Sequence, residues 1–321
     1  MNFREILKSN TITRKIGKKL KIYYEYFFDA IDFSNNYLEV ANTKKNYNYS
    51  IMLLVHSIEK GLCMENPRPF GFNKIKELIK LLKDNSSVSD YEYNLGLSIL
   101  NEWCLFFKKN NWSYDMCDKV DVFLNSTKST LIKSGSKEYY YNKLIDPKAF
   151  ENIILSRSSV RKFQNRTIDI KDLETALKCF NSTPTACNRQ MCRILLISSS
   201  DLKNLLWNTL IGTPGFDEES VTFFVVTYDI AALAYSGERN QGMFNAGLCS
   251  MNFINGLHVS GIGSCCLQWS NKRSEDVYIR QKLELKKSER IAIVIGAGYY
   301  LEENTIPCSI RRPLNENLKI L

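Results

Sequence analysis

The chain of 321 residues carries 43 lysines and arginines against 34 acids, a net charge of +9, with 44% hydrophobic residues. That length suits one large domain or two small ones, and the modest, dispersed excess of cations favours an anionic ligand or surface without announcing a nucleic-acid binder. Ten cysteines without a Cys-x-x-Cys pair, and only two histidines, His56 and His258, argue against a disulfide framework and against a zinc or histidine-built metal centre. A reducing, cytoplasmic location is expected.

The opening stretch, residues 1–33, is basic and then aromatic. It lacks the apolar core and small-residue cleavage site of a secretory signal, and no apolar run of the chain reaches membrane-spanning length. For Lys15 to Lys21 and the aromatics after them, an ordinary helix with a solvated basic face is the expectation, and a peripheral contact with a membrane surface is the alternative. Residues 1–145 read as a helical region of uncertain role. Apolar residues recur at helical spacing in Ile51, Leu54, Val55, Ile58 and Leu62, then in Ile75, Leu78, Ile79 and Leu82. Leu95, Ile99, Trp103 and Phe106 form a third stripe, expected to be core.

Between the first two stripes lies His56-Ser57-Ile58-Glu59-Lys60-Gly61. His56, Glu59 and Lys60 fall on one side of a helix, opposite its apolar face. The plain account is a solvated polar face with Gly61 as the helix cap. The sharper account makes these residues candidate catalytic groups that reach a substrate pocket, since histidine exchanges a proton near neutral pH and lysine holds an anion.

A boundary is expected near Ser134-Gly135-Ser136-Lys137, which divides the chain into residues 1–145 and 146–321. Asp146-Pro147 supplies a cap and a first-turn proline for a helix through Leu155. Helices and strands then alternate. Strands are expected over 193–198, 221–228, 262–267 and 291–295, and helices from Asp201, over 242–260, and from Ser274-Glu275-Asp276.

Two polar clusters punctuate this half. Arg157, Ser158, Ser159 and Arg161 interleave guanidiniums with hydroxyls, a combination suited to a phosphate because both can donate to its oxygens. An amphipathic segment with Asp169 as its N-cap leads to the second cluster, Pro184-Thr185-Ala186-Cys187-Asn188-Arg189-Gln190, rich in amides and hydroxyls. Cys187 and Cys192 flank that turn and are minor candidates for a reactive thiol. Gly296-x-Gly298 lacks the further glycine and helix that a dinucleotide pyrophosphate needs.

Arg157-x-Ser159-x-Arg161-x-Phe163, a helix, and then Pro184-Thr185-x-x-Asn188-x-Gln190 before a strand resembles the opening of the FMN-dependent nitroreductase family. Met191 and Cys192 stand where that family commonly has Pro-Trp, a departure on the substrate side. Asn245-Ala246-Gly247-Leu248 with Asn252 and Gly256, ending in Gly261-Ile262-Gly263-Ser264, is similar to the family's buried helix and Gly-Leu-Gly turn. The tail around Arg311-Arg312-Pro313 resembles its R-x-P ending. The resemblance covers residues 150–321 and implies an α+β fold, a nitroreductase-like three-layer α/β/α sandwich following a mostly helical N-terminal region. It also implies an FMN oxidoreductase, with NAD(P)H as a possible donor, acting on a small-molecule substrate as a homodimer with the cofactor at the subunit interface. Arg157, Ser158, Ser159, Arg161 and Arg311, with Arg312 as a substitute, would hold the phosphate. Thr185, Asn188 and Gln190 would contact the ring or ribityl chain, and the Gly263–Ser264 backbone would approach flavin N5. The extra helical region and the lost Pro-Trp favour a dedicated biosynthetic step over broad detoxification. A fold that has lost catalysis and serves as a docking module is the reading from a different class.

Overall fold

The computed structural model describes residues 11–37, 46–84, 88–127, 130, 132–141 and 146–321, with side-chain environments from residue 15 onward. Of the stretch expected to be helical, residues 1–10, 38–45, 85–87, 128, 129, 131 and 142–145 lie outside these. The N-terminal region contributes α1 (Thr11–Ser34), α2 (Tyr47–Leu62), α3 (Phe72–Lys83), α4 (Asp90–Lys109) and α5 (Asp115–Asn125), and no strand occurs among its described residues. Helices α2 to α5 share a core in which Ile51, Ile58, Ile75, Leu78, Ile99, Trp103 and Phe107 are fully buried. Phe106, expected inside, is only partly buried, because Phe107 takes the inner position and stacks on Trp103 at 4.0 Å between centroids.

Gly61 does not cap α2, which runs on to Leu62 with Cys63 as its cap. The glycine sits under the ring of Phe70, where an added Cβ would lie 2.1 Å from a ring carbon. It is there for close approach of a neighbouring segment, a demand that helix-end statistics do not register.

The second half opens with α6 (Pro147–Ser156), whose first turn is capped by the Asp146 carboxylate accepting from the Lys148 backbone amide at 2.9 Å. It continues through a short 3-10 turn, Ile170–Leu173, into α7 (Glu174–Asn181). There follow β1 (Cys192–Ile197), α8 (Ser200–Thr209), β2 (Thr222–Asp229), α9 (Gln241–Val259), β3 (Ile262–Gln268), α10 (Arg273–Lys282) and β4 (Glu289–Tyr299). The four strands form one sheet in the order β1-β2-β4-β3, every neighbour antiparallel. β4 is longer than its apolar run suggests, since Gly296, Ala297 and Gly298 stay in the ladder.

The pleat sorts side chains between two layers. Phe224, Val226, Ile295 and Ala297 face α7 and α9, meeting Ala176, Phe180, Phe253 and Leu257. Phe223, Val225 and Val294 face the other way, against Leu206 of α8 and Ile279 of α10. The result is the expected α+β three-layer arrangement with a helical N-terminal region. Tyr49 and Met52 of α2 leave the helical core and join the α7/α9 side of the sheet domain, where the Tyr49 hydroxyl donates to Asp229 at 3.1 Å. α2 is therefore shared by both halves.

Candidate functional site

The Arg157 to Arg161 segment leaves α6 and runs beside β3 as an added edge: Ser159 pairs with Ser264 in parallel, and the Val160 amide donates to the Ser264 carbonyl at 3.0 Å. Further along, Phe163 bridges to Tyr300. The structure thus brings Arg157, Ser158, Ser159 and Arg161 together with Gly263 and Ser264. Arg157 and Arg161 are half-buried, and among the described residues neither has a carboxylate partner. A half-buried guanidinium without an acid is a standing site for an anion, because it has lost part of its hydration and gained no counter-charge.

Sequence reasoning missed the group that flanks this cluster. Ser156 Oγ lies 2.9 Å from His258 Nε2, and His258 Nδ1 lies 2.8 Å from the Tyr300 hydroxyl. Burial first, and then repulsion from Arg157, hold the His258 imidazole below its ordinary range. Burial also raises the Tyr300 phenol. Beside them, burial pushes the Cys266 thiol up to about 11. His258 ends the long α9 and Tyr300 follows β4, so only the folded sheet joins them.

The amide turn is built differently. Thr185 Oγ1 accepts from the Gln190 amide at 2.9 Å, and Cys187, Asn188 and Gln190 all adopt left-handed backbone, with φ of 50, 50 and 46°. Three such residues within four are costly for side chains bearing a Cβ. What holds them is Arg189, which is 0% exposed. Its Nε donates to the Ala186 carbonyl at 2.9 Å and its NH1 to the Ala232 carbonyl at 2.5 Å, while a bidentate fork meets Glu238 at 2.8 and 2.7 Å. Glu238 also accepts from the Ala234 amide at 2.7 Å. Burial works against the Glu238 charge, but Arg189 and that amide outweigh it and keep the carboxyl below its ordinary range. The sequence signal existed in Arg189 itself, a cation in the middle of the turn, yet its partner lies 49 residues away.

Met191 is fully buried, its sulfur taking a contact from Asn245 Nδ2 at 3.5 Å, so the residue that replaces the family's proline belongs to the core. Cys192 is buried as well. A hydrogen bond with Cys249, reinforced by burial, raises its thiol, which removes it as a reactive candidate and makes it packing. Cys192, Gln190 and Arg193 border a cavity of about 300 Å³ that Met52, Tyr91 and Glu92 of the helical region close from the other side.

The two clusters do not meet in one chain. Gln190 lies just before β1, at the sheet end marked by the Cys192–Tyr228 pair, whereas Ser264 lies on β3 at the opposite end, level with Ala297 and Thr222. With about 4.8 Å between strands and about 3.3 Å per residue along them, they stand on the order of 25 Å apart. Arg311 and Arg312 join neither. Both are exposed, Arg311 donating to the Ser309 carbonyl at 2.6 Å and Arg312 lying 4.0 Å from Glu316. His56 and Glu59 approach at 3.6 Å on α2, beyond Met52 and partly exposed, and neither borders the cavity beside Gln190; Lys60 is exposed.

Among solved structures, the chain is similar to a nitroreductase from Bacillus subtilis (16% identity, 55% of this chain and all of that one, TM-score 0.49). It is similar to a Desulfovibrio desulfuricans nitroreductase in complex with FMN (19%, 54% and 96%, TM-score 0.46) and to an FMN-dependent nitroreductase from Clostridium difficile (20%, 50% and 92%, TM-score 0.41). No curated protein matches the chain. The family model described as the Nitroreductase family matches residues 154–227. That matched span takes in both the cation cluster and the amide turn.

Proposed function

We propose that the chain is an FMN-dependent oxidoreductase that carries out one dedicated biosynthetic redox step on a small molecule, as a homodimer in the cytoplasm with a reduced nicotinamide as electron donor. The observation that supports this most is the pair of half-buried, acid-free guanidiniums, Arg157 and Arg161, inside the span that matches the family model. Their donors and the hydroxyls of Ser158 and Ser159 suit the dianionic phosphate of FMN. Arg311, or Arg312 beside it, would add a cation from the tail. Thr185, Asn188 and Gln190 would present amide and hydroxyl groups to the ring or ribityl chain, and the Gly263–Ser264 backbone would lie near flavin N5. When bound, FMN supplies the hydride chemistry; the chain supplies binding, orientation and exclusion of water.

The separation of the two clusters favours a homodimer, in which the amide turn of one copy completes the cation cluster of the other. The α9 helix supports the same assembly. One side is buried in the domain, while Phe244, Leu248, Met251 and Val259 form an exposed apolar row at helical spacing on the other.

On this reading residues 146–321 form the cofactor domain and residues 1–145 the cover of its pocket. Met52, Tyr91 and Glu92 already bound the cavity beside Gln190. His56 and Glu59 on the same face of α2 would exchange a proton with substrate, and Lys60 would hold an anionic group.

Reconstitution tests the proposal. Protein loaded with FMN should be yellow, bleach on addition of a reduced nicotinamide, and lose flavin as dilution dissociates the dimer in sedimentation runs. A monomer that retains flavin stoichiometrically contradicts the shared site, and a colourless protein indifferent to FMN contradicts the enzyme.

A further inference from the structure

The helix that opens the described chain is half anchored and half free. Its C-terminal part is pinned to the sheet domain. Asp32 takes a bidentate fork from Arg273 at 2.8 and 3.2 Å and a further contact from Arg290 at 2.9 Å. The Arg273 guanidinium also lies 4.8 Å from the ring centroid of Phe28. Phe33 stacks on Tyr37 at 5.0 Å and packs against the core. Residues 15–24, in contrast, are exposed without exception. At about 1.5 Å per residue they form an arm roughly 15 Å long that lies open to solvent.

The arm has two chemically distinct sides. Ile16, Leu20, Tyr23 and Phe27 follow one another at steps of four, three and four, which lines them on one face, with Tyr24 on its margin. They are 52%, 62%, 71% and 61% exposed, a continuous apolar face presented to solvent. Lys18 and Lys21 lie on the opposite face, and Lys15 and Lys19 along one border of the stripe. From Thr11 to Tyr24 there are five cations and no acid; the next carboxylate is Glu25. The lysines are solvated, and so is the apolar face.

A free helix this short is marginal in water, and most helical stability comes from burying an apolar face. Charge decides among the surfaces that could cover it. Laying the arm against the same arm of a second copy would gather twice the five cations against only the two copies of Glu25. An anionic bilayer surface accepts both sides at once: tyrosines and phenylalanine seat at the headgroup level, and lysines at the stripe's border extend to the lipid phosphates.

We infer that residues 11–27 form an interfacial helix that docks the protein on an anionic lipid surface, holding the sheet domain beside the membrane through the Asp32 anchor. Exposed apolar and basic faces on one helix, tied at its other end to the sheet domain, are what such a device requires. The inference is independent of the cofactor reading.

The test uses the full-length protein with two kinds of vesicle, phosphatidylcholine alone and phosphatidylcholine with about a third phosphatidylserine, read by flotation. The wild type should float with the anionic vesicles and not with the neutral ones, and 0.5 M salt should release it, since exposed charges are screened over about a Debye length. Changing Lys15 and Lys19 together to Gln should lower the partition coefficient on the order of tenfold or more, each cation near such a surface contributing roughly fivefold. Tyr23→Ser with Phe27→Ser should abolish flotation although every cation remains. Melting temperature should stay within a degree or two in both variants, because neither pair touches the domain. Failure to float with either vesicle, or equal flotation with both, overturns the inference. So does a larger oligomer that forms without lipid and that Leu20→Asp dissolves, for then the arm binds a second copy.

Discussion

The cation cluster and the amide turn are neighbours in sequence and opposites in construction. Ser156 to Arg161 is attached to the sheet through the Val160 amide, the Ser159–Ser264 bridge and the buried Val160 side chain, and its guanidiniums are left without acids among the described residues. Thr185 to Gln190 has its cation fully enclosed, with all three nitrogens of the Arg189 guanidinium hydrogen-bonded. One cluster stores uncompensated charge, and the other stores backbone geometry. A ligand with an anionic end and a hydrogen-bonding ring would use the two properties separately. Mutations should therefore divide cleanly between them, stability responding at the turn and ligand affinity at the cluster.

The largest effect is expected at Arg189. Replacing it with Ala leaves the half-buried Glu238 without its partner and releases three left-handed residues from the fork that spans them, at a cost of about 3 kcal/mol. Urea denaturation followed by far-UV circular dichroism measures it. A midpoint shift smaller than that expected for about 1 kcal/mol would show that the Glu238 pair does not hold the turn.

Arg161→Ala should do the reverse. Among the described residues the guanidinium has no ion-pair partner to lose, so the urea midpoint should hardly move. FMN affinity should fall roughly tenfold or more, the equivalent of about 1.5–3 kcal/mol for a charge-assisted contact to phosphate. Quenching of flavin fluorescence on titration gives the dissociation constant directly. An unchanged value would reduce residues 157–161 to an ordinary surface turn.

The elements themselves were legible in the sequence, because periodicity reports burial and burial built them. The apolar run Phe223 to Val226 and the stripes of α2 to α4 are written in residue order, and Asp146-Pro147 announced its helix by local chemistry alone. What escaped depended on distant partners. Gly61 looked like a helix stop because its local sequence permits one; the ring of Phe70 that requires a glycine comes from the following loop. Arg189 sat in plain view among amides, but its importance lies in Glu238, and no spacing rule connects them. Spatial arrangement escaped as well. The two clusters follow each other with one helix between, and nothing in that order tells that the sheet sets them at opposite edges. Met191 and Cys192 looked like an altered substrate wall, whereas the register of β1 turns Met191 inward and ties Cys192 to Cys249.

The smallest expected effect is also the most discriminating, because it makes stability and affinity move in opposite directions. His258 connects Ser156 to Tyr300 beside Arg157, and its imidazolium is disfavoured in the folded chain first by burial and then by that guanidinium. The folded site thus takes up its proton at lower pH than the unfolded chain does. Stability carries no penalty from this histidine well above its ordinary value of 6.5 and declines as the pH falls through that value, until the folded site titrates too. Ligand binding should respond with the other sign. A phosphate settled on Arg157 cancels the guanidinium's repulsion and raises the His258 pKa, so binding takes up a proton and affinity gains as the pH falls. The second ionisation of FMN's own phosphate, near pH 6, weakens binding over the same range, but equally in wild type and in His258→Gln. Titrations of both proteins between pH 5 and pH 8 therefore isolate the histidine's share as a difference. Relative to the variant, the wild type should gain affinity and lose melting temperature on acidification. Parallel curves for the two proteins would mean that no phosphate sits beside Arg157, and would leave the Ser156–His258–Tyr300 chain as a strut between α6, α9 and the end of β4.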